Sequence, residues 1–179
     1  ASLKGVAWSR DGRWLASGDV MGAVHLVHMD TRECRVLEGH EDGVLCCSFS
    51  VDGAQLASGS EDSSVMVWDV ASGTSISYLR HEDHTNDVAF SPNGQWLAAG
   101  CDDSTVTIYA VGTWEEFACL QGHVQGVRSL AWTPEGRLVS SCCGGEIRVW
   151  TVTSGACAVV TGRGEPVNDL SICPHGGLL

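Results

Sequence analysis

Short apolar runs separated by glycine-containing turns recur along the whole chain. The turns carry a dipeptide in which glycine follows an acidic residue or asparagine, as in Asp11-Gly12, Asp52-Gly53, Asn93-Gly94 and Glu135-Gly136. Such dipeptides favour tight turns between two short strands, because glycine adopts positive φ easily and Asp or Asn tolerates it. No stretch carries a 3.6-residue amphipathic period, so the pattern predicts an all-β chain.

One unit repeats about every forty residues. Its turn glycines are spaced 41, 41, 42 and 40 residues apart, at Gly12, Gly53, Gly94, Gly136 and Gly176. That period is typical of propeller blades, since a single four-stranded sheet cannot bury both of its faces without a neighbouring sheet. We expect one propeller segment over 1–179. Its antiparallel four-stranded blades are predicted at about 1–38, 39–79, 80–121 and 122–161, with a partial blade at 162–179.

The start of each blade can be placed from the same repeat. The predicted first strands lie near 3–9, 44–50, 86–91, 127–133 and 167–172.

A Gly-His dipeptide and a Trp-Asp dipeptide about thirty residues later add a more specific signal, and the whole sequence resembles the WD-repeat β-propeller family. The resemblance implies a structural tetrad in each blade: a His before the first strand, a Ser or Thr in the second, an Asp in the next turn and a Trp in the third strand. The second unit matches at all four positions, with His40, Ser58, Asp62 and Trp68.

The other units keep only part of the tetrad. The third unit has His81 and Asp103, with Ala99 in place of the Ser and Tyr109 in place of the Trp. The fourth has His123, Ser140 and Trp150, with Gly144 in place of the Asp. The first keeps only Ser17, and the fifth has Arg163 instead of the His. The resemblance therefore implies a complete relay only in the second unit, with these histidines serving the structure.

The extent of the chain suggests an incomplete ring. Propellers typically have four to eight blades. The family that the sequence resembles most often has seven, with the ring closed by a blade that mixes strands from both chain ends. The sequence begins at a first strand and stops near the second strand of its fifth unit. We expect it to belong to a longer polypeptide whose other blades close the ring; self-association of arcs is the alternative.

Nine cysteines, an odd number without a Cys-x-x-Cys motif, do not suit a disulfide framework or a zinc site. We expect them to be free, small buried hydrophobes in a reducing cytoplasm. The sequence predicts no membrane association, because no apolar run approaches 18 residues and no signal peptide is present. His81-Glu82-Asp83-His84 offers metal donors, but the relay uses His81, so we predict no metal and no cofactor.

Charge indicates the kind of partner. Ten basic residues against 22 acidic residues give a formal net charge of −12, which argues against nucleic acid and anionic lipid and favours a basic protein or peptide. In the family, partners dock on the face formed by the loops before the first strands and the turns between second and third strands. The acidic residues expected on that face are Glu41, Asp42, Glu61, Glu82, Asp83, Asp87 and Asp102.

The resemblance also implies particular contact positions, which flank the start of each first strand or precede the tetrad Asp. They are Gly43, Leu45, Glu61, His84, Asn86, Asp102, Gly126, Arg128 and Cys143, with Pro166 and Asn168 in the fifth unit. We expect Leu45 to be the hydrophobic anchor and Glu61 and Asp102 to form an acidic rim.

Known catalytic motifs are absent from the sequence: it has no nucleophile elbow, phosphate loop, metalloprotease helix or dinucleotide fingerprint. We therefore predict that the chain is not an enzyme but a protein-interaction scaffold. The alternative is a sensor or autoinhibitory propeller segment of a larger signalling ATPase or cytoskeleton-associated protein. A propeller enzyme would require titratable groups converging at the central channel, and the sequence indicates none.

Overall fold

The computed structural model describes residues 2–161 and 164–172, and these form sixteen strands in four separate sheets. Blade 1 contains β1 (Leu3–Trp8), β2 (Trp14–Asp19), β3 (Val24–His28) and β4 (Cys34–Leu37). Blade 2 contains β5 (Val44–Phe49), β6 (Gln55–Ser60), β7 (Ser64–Asp69) and β8 (Ser75–Arg80). Blade 3 contains β9 (Thr85–Phe90), β10 (Trp96–Cys101), β11 (Val106–Ala110) and β12 (Glu116–Leu120). Blade 4 contains β13 (Val127–Trp132), β14 (Leu138–Cys142), β15 (Glu146–Thr151) and β16 (Ala156–Thr161).

Each blade is an antiparallel meander in which consecutive strands are neighbours. The turn between its first two strands follows from the repeated dipeptide. In blade 2 the N–H of Gly53, whose φ is +72°, donates to the carbonyl of Ser50 at 2.9 Å. The Ser50 hydroxyl donates to Asp52 at 2.6 Å, and the carboxylate accepts the N–H of Ala54 at 3.0 Å. These bonds hold the chain reversal in place, and the all-β prediction is confirmed.

The hydrophobic core consists of three layers, each between successive blades. Val24 and Leu26 of blade 1 share a layer with Leu56 and Trp68 of blade 2. The next layers join blade 2 to blade 3 and blade 3 to blade 4. Each sheet has two apolar faces, and a Val or Leu side chain on such a face is buried only when the neighbouring blade covers it. Full burial of one such side chain stabilises the fold by about 1.5–3 kcal/mol.

The predicted first strands agree with β1, β5, β9 and β13 to within one residue at each end. The fifth was predicted at 167–172, and there the prediction is wrong: within the described residues this segment has no strand, only a single bridge at Ile172. It lies against β13 instead, where the N–H of Leu170 donates to the Ser129 hydroxyl at 3.2 Å. Arg163, Gly176 and the expected chain end at 178–179 lie outside the described residues.

The outward face of blade 1 is apolar and uncovered. Trp8 is 55% exposed and Val6 is 59% exposed. Their counterparts in blade 2, Phe49 and Cys47, pack into the layer shared with blade 1. The side chains on the open face are therefore of the kind that other blades bury against a neighbour.

The cysteines are only partly as expected. The eight in the described part of the chain are free, and Cys46, Cys101 and Cys142 are buried. Cys34, Cys119 and Cys157 are exposed, because they lie on the outermost strand of their blades, so their prediction as buried hydrophobes is wrong.

Through residues 2–161 and 164–172, the structure has no helix long and apolar enough to cross a membrane.

Candidate interaction face and the buried relays

Blade 2 contains an unbroken relay of buried hydrogen bonds. The Trp68 indole N–H donates to the Ser58 hydroxyl oxygen at 2.9 Å, and Ser58 Oγ lies 2.8 Å from His40 Nε2. Nδ1 of His40 lies 2.9 Å from a carboxylate oxygen of Asp62. Each polar atom thus finds a partner inside the sheet, which removes the cost of burying it. The four residues predicted as a tetrad are brought together.

Two further donors hold the Asp62 carboxylate and were not found from the sequence. The Ser64 hydroxyl donates to it at 2.6 Å, and the backbone N–H of Glu41 donates at 2.9 Å. Burial raises the pKa of Asp62, but these bonds and the neighbouring His40 outweigh burial, and the pKa is lowered overall. Burial also lowers the pKa of His40, so the imidazole is neutral at pH 7. Within the described residues, the side-chain polar groups of His40, Ser58, Asp62 and Trp68 are thus hydrogen-bonded inside the blade.

Blade 3 has a different set of buried hydrogen bonds from blade 2. His81 Nε2 lies 3.1 Å from the Tyr109 hydroxyl, and Nδ1 lies 3.3 Å from Cys101 Sγ. Asp103 is not hydrogen-bonded to His81 within the described residues, and it accepts the N–H and hydroxyl of Thr105 at 2.8 and 2.7 Å. The Tyr109 hydroxyl contacts the imidazole directly, without an intervening Ser hydroxyl, and the Cys101 sulfur takes the place of the Asp carboxylate as the partner of Nδ1. Of the tetrad residues carried over to this unit, His81 and Tyr109 are hydrogen-bonded to each other, whereas Asp103 is hydrogen-bonded to Thr105.

Blade 4 has an interrupted relay. Trp150 donates to the Ser140 hydroxyl oxygen at 2.7 Å, and Ser140 Oγ lies 2.6 Å from His123 Nε2. Gly144 offers no carboxylate, and in the described part of the chain Nδ1 of His123 is buried without a hydrogen-bond partner. Burial, with a further contribution from the Arg148 charge, lowers the pKa of His123 to about 4.

Blade 1 contains a pair that the sequence reasoning missed. Asp19 lies 2.8 Å from His25 Nε2 and accepts the N–H groups of Met21 and Ala23 at 2.9 and 3.0 Å. The His25 hydrogen bond, followed by the two backbone bonds, lowers the pKa of Asp19 to about 2. The signal was that the two residues belong to one hairpin. In the pairing of β2 with β3, His25 lies opposite Ser17, which is two residues before Asp19 on β2.

Three predicted contact residues from three different strands or turns converge on the loop face. Asn86 donates to Asp102 at 2.7 Å, and Arg128 Nη1 lies 3.5 Å from Asp102 and donates to the Asn86 side-chain oxygen at 3.2 Å. Arg128 Nε also donates to Cys143 Sγ at 2.7 Å. Blades 3 and 4 are thereby joined at this face by a polar network.

Glu61 lies apart from this network and forms an ion pair at 2.8 Å with Lys4, a residue that the sequence reasoning missed. The signal was in the repeat: Lys4 precedes its turn glycine by eight residues, as Leu45, Asn86 and Arg128 precede theirs. Both predicted rim carboxylates, Glu61 and Asp102, therefore already have a cationic neighbour.

Leu45 is half-buried and lines a cavity of about 330 Å³ along the inner ends of the blades, together with Asn86, Arg128 and Asn168. The His84 side chain is 48% exposed, and its Nδ1 lies 3.9 Å from Asp102. Leu45 and His84 therefore border the network of Asn86, Asp102 and Arg128.

Asp87 does not belong to an exposed acidic rim. It is half-buried in the same cavity, where it accepts the N–H of Leu130 at 2.7 Å and lies 3.3 Å from the Ser129 hydroxyl. Burial raises the pKa of Asp87 to about 6. Asp169 approaches the same hydroxyl at 3.4 Å. Titratable groups do converge at the channel, contrary to the expectation, but Asp87 there links blade 3 to blade 4.

Asp83, His84 and Asp102 have donor atoms within 4.8 Å of one another, so they could hold a metal ion. The Arg128 guanidinium lies 3.5 Å from Asp102 and opposes a second cation at that carboxylate.

Comparisons with known proteins agree with this architecture. The family model described as WD domain, G-beta repeat matches residues 31–69, 73–109 and 114–151. Among solved structures, a chain of the crystal structure of a mitotic checkpoint complex is similar, with a TM-score of 0.90 and 26% identity. The likeness covers 97% of this chain and 55% of that chain, so this chain spans little more than half of its length. No curated protein matches the sequence.

The repeat model covers more than half of the chain, and it matches over the strands and turns that build the blades. The chain therefore belongs to the WD-repeat family of β-propeller proteins.

Proposed function

We propose that the chain is a non-catalytic scaffold whose loop face binds a basic segment of a partner protein. WD-repeat proteins are generally non-catalytic interaction scaffolds, and the similar solved chain is part of a multiprotein complex. The observation that carries the proposal is the convergence of Asn86, Asp102 and Arg128 beside the cavity that Leu45 lines. Polar groups surrounding an apolar contact are the usual composition of a protein-binding surface.

A basic partner can compete for the carboxylates at this face. The side chains of Lys4 and Glu61 are 37% and 32% exposed, and ion pairs at such positions contribute about 0–1 kcal/mol. A Lys or Arg of the partner can therefore replace Lys4 at little cost. The net charge of −12 attracts a basic segment over longer range and raises its association rate.

Binding of an Arg- and Lys-rich peptide to three charge-reversal variants tests the proposal. Glu61→Lys and Asp102→Lys should each weaken binding, mainly through a slower association rate, and binding should weaken as salt rises. Glu135→Lys is the matched control, because Glu135 is exposed in the β13–β14 turn at the opposite end of the blades. Leu45→Ala should instead raise the dissociation rate, as expected for a buried anchor.

The result that overturns the proposal is also specific. The partner binds elsewhere if neither Glu61→Lys nor Asp102→Lys changes the affinity and if the affinity also stays constant as salt rises to about 0.5 M. At that concentration charges on the surface are strongly screened. Each variant should remain folded at the temperature of the binding assay, as its melting curve will show, which excludes unfolding as the cause of weaker binding.

A further inference from the structure

The β14–β15 turn of blade 4 has the shape of a tetrad turn without its carboxylate. Gly145 has a φ of +76°, and Ser63, at the same position of the blade 2 turn, has a φ of +64°. Gly144 therefore stands where blade 2 places Asp62. The backbone is prepared for an acidic side chain that the sequence does not supply.

In blade 2, two nitrogen atoms contact the carboxylate at the equivalent position. In blade 2 the Asp62 carboxylate lies 2.9 Å from His40 Nδ1 and 2.9 Å from the backbone nitrogen of Glu41. In blade 4 the equivalent atoms belong to His123 and Val124. His123 is only 7% exposed, and over the described ranges neither its Nδ1 nor the N–H of Val124 has a protein acceptor.

The blade 4 relay repeats the blade 2 relay as far as the imidazole. The Trp150 N–H donates to the Ser140 oxygen at 2.7 Å, and Ser140 Oγ lies 2.6 Å from His123 Nε2. A neutral imidazole that accepts the Ser140 hydroxyl hydrogen at Nε2 carries its proton on Nδ1, which is the tautomer that a carboxylate beside Nδ1 stabilises. Over the described ranges Nδ1 has no hydrogen-bond partner, so a carboxylate oxygen at this position would complete the relay.

Space around Gly144 suits one additional side-chain group. A Cβ placed on Gly144 would first meet Gln125 Cδ at 3.5 Å and Cys142 Sγ at 3.6 Å, which are ordinary contacts. Gln125 is exposed and can swing aside. The guanidinium of Arg148 packs over the Trp150 ring, 5.7 Å from its centre, and forms an ion pair with Glu146, so these two charges largely offset each other. Hydrogen bonding to His123 and Val124, rather than net charge, would therefore hold a carboxylate here.

We propose that this recess, formed by His123, Val124, Gln125 and Gly144, binds the carboxylate of an Asp or Glu side chain supplied by a partner protein. One carboxylate oxygen accepts the N–H of His123 and the N–H of Val124, completing from outside the relay that blade 2 completes internally. The proposal does not depend on the acidic contact face, because it requires the opposite charge on the partner and uses different residues.

Sodium formate is the simplest probe, with sodium chloride at equal ionic strength as the reference. In the ¹⁵N-labelled chain, formate should shift the His123 Nδ1 and Val124 amide resonances along a saturable curve. Gly144→Asp places a carboxylate in the recess and should lower the formate affinity at least about tenfold, as expected when a charge-assisted hydrogen bond is lost. Gly144→Ala, which adds only a methyl group, should bind formate within about threefold of the wild type.

The same resonances separate a partner side chain from a general anion site. N-acetyl-aspartate amide should shift them, whereas the isosteric asparagine compound should do so at least about tenfold more weakly. The proposal is wrong if formate produces no saturable shift, if Gly144→Asp responds like the wild type, or if the aspartate and asparagine compounds bind equally.

Discussion

Restoring the missing carboxylate by Gly144→Asp should stabilise the protein. The reason is the buried Nδ1 of His123, which is unpartnered in the part of the chain that the structure describes. A buried donor or acceptor without a hydrogen-bond partner costs about 1–3 kcal/mol. Replacing a glycine that does not need positive φ adds about 0.4–1 kcal/mol by restricting the unfolded chain, and Gly144 is not among the positive-φ glycines.

The gain will be smaller than the sum of these two contributions. Blade 2 supplies three donors to Asp62, including the Ser64 hydroxyl, whereas blade 4 has Glu146 in place of that Ser. The Glu146 carboxylate repels the new one, although its ion pair with Arg148 offsets part of the repulsion. We expect a net stabilisation of about 1–2 kcal/mol, which corresponds to a rise in Tm of about 2–8 °C for a chain of this size.

The pH dependence of stability provides a second test of the Gly144→Asp substitution. Because the pKa of His123 is lowered to about 4 in the folded protein from 6.5, the unfolded chain binds more protons between these values. In the wild type, the contribution of His123 to the free energy of unfolding is therefore fully present above pH 6.5 and is lost as the pH falls towards 4. A carboxylate beside His123 raises the folded pKa and reduces that loss, so the advantage of Gly144→Asp should grow on lowering the pH from 7 to about 5.

Urea unfolding of wild type, Gly144→Asp and Gly144→Ala at pH 7 and pH 5 measures both effects. The alanine variant carries the backbone contribution alone and should gain less than about 1 kcal/mol, with the pH profile of the wild type. If Gly144→Asp is no more stable than Gly144→Ala at either pH, the reasoning about the unsatisfied imidazole is refuted.

Three further predictions concern stability. Trp68→Ala should lower the free energy of unfolding by about 3–5 kcal/mol, because it leaves a cavity and breaks the blade 2 relay. Tyr109→Phe should lower it by about 1 kcal/mol, because it removes one hydrogen bond to His81. Comparable losses in Tm for the two variants would contradict the relay argument. Burial holds the Asp87 pKa at about 6 against 3.8, so wild-type stability should fall by about 2 kcal/mol as the pH rises from 4 to 6. Asp87→Asn should flatten the urea-unfolding profile in that range, and an unchanged slope would disprove the assignment. Gly5→Ala should lower the free energy of unfolding, measured by calorimetry, by about 1–3 kcal/mol. The reason is that the added Cβ would lie 2.6 Å from backbone atoms of Leu45 and Cys46. An unchanged stability would mean that blades 1 and 2 can separate slightly.

The sequence alone was sufficient to predict the four blades and the positions of their first strands. The turn dipeptides, the forty-residue period and the alternation of apolar residues are local signals that agree with one another, so strand positions followed without knowledge of tertiary contacts. The blade 2 relay also followed, because its four residues carry the complete family pattern. The fifth first strand was predicted wrongly because residues 167–172 have the composition of a strand but pair only at Ile172.

Only the tertiary structure decided how the polar groups are partnered. Asp103 bonds to Thr105 rather than His81, Lys4 reaches Glu61 across a blade boundary, and Asp87 is used to join blades. A hydrogen bond depends on distances of a few tenths of an ångström between residues as many as fifty-seven positions apart, and side-chain patterns along the chain do not contain that information. The family pattern states which residue types occupy a blade, whereas the packing of one blade on the next determines which of them meet.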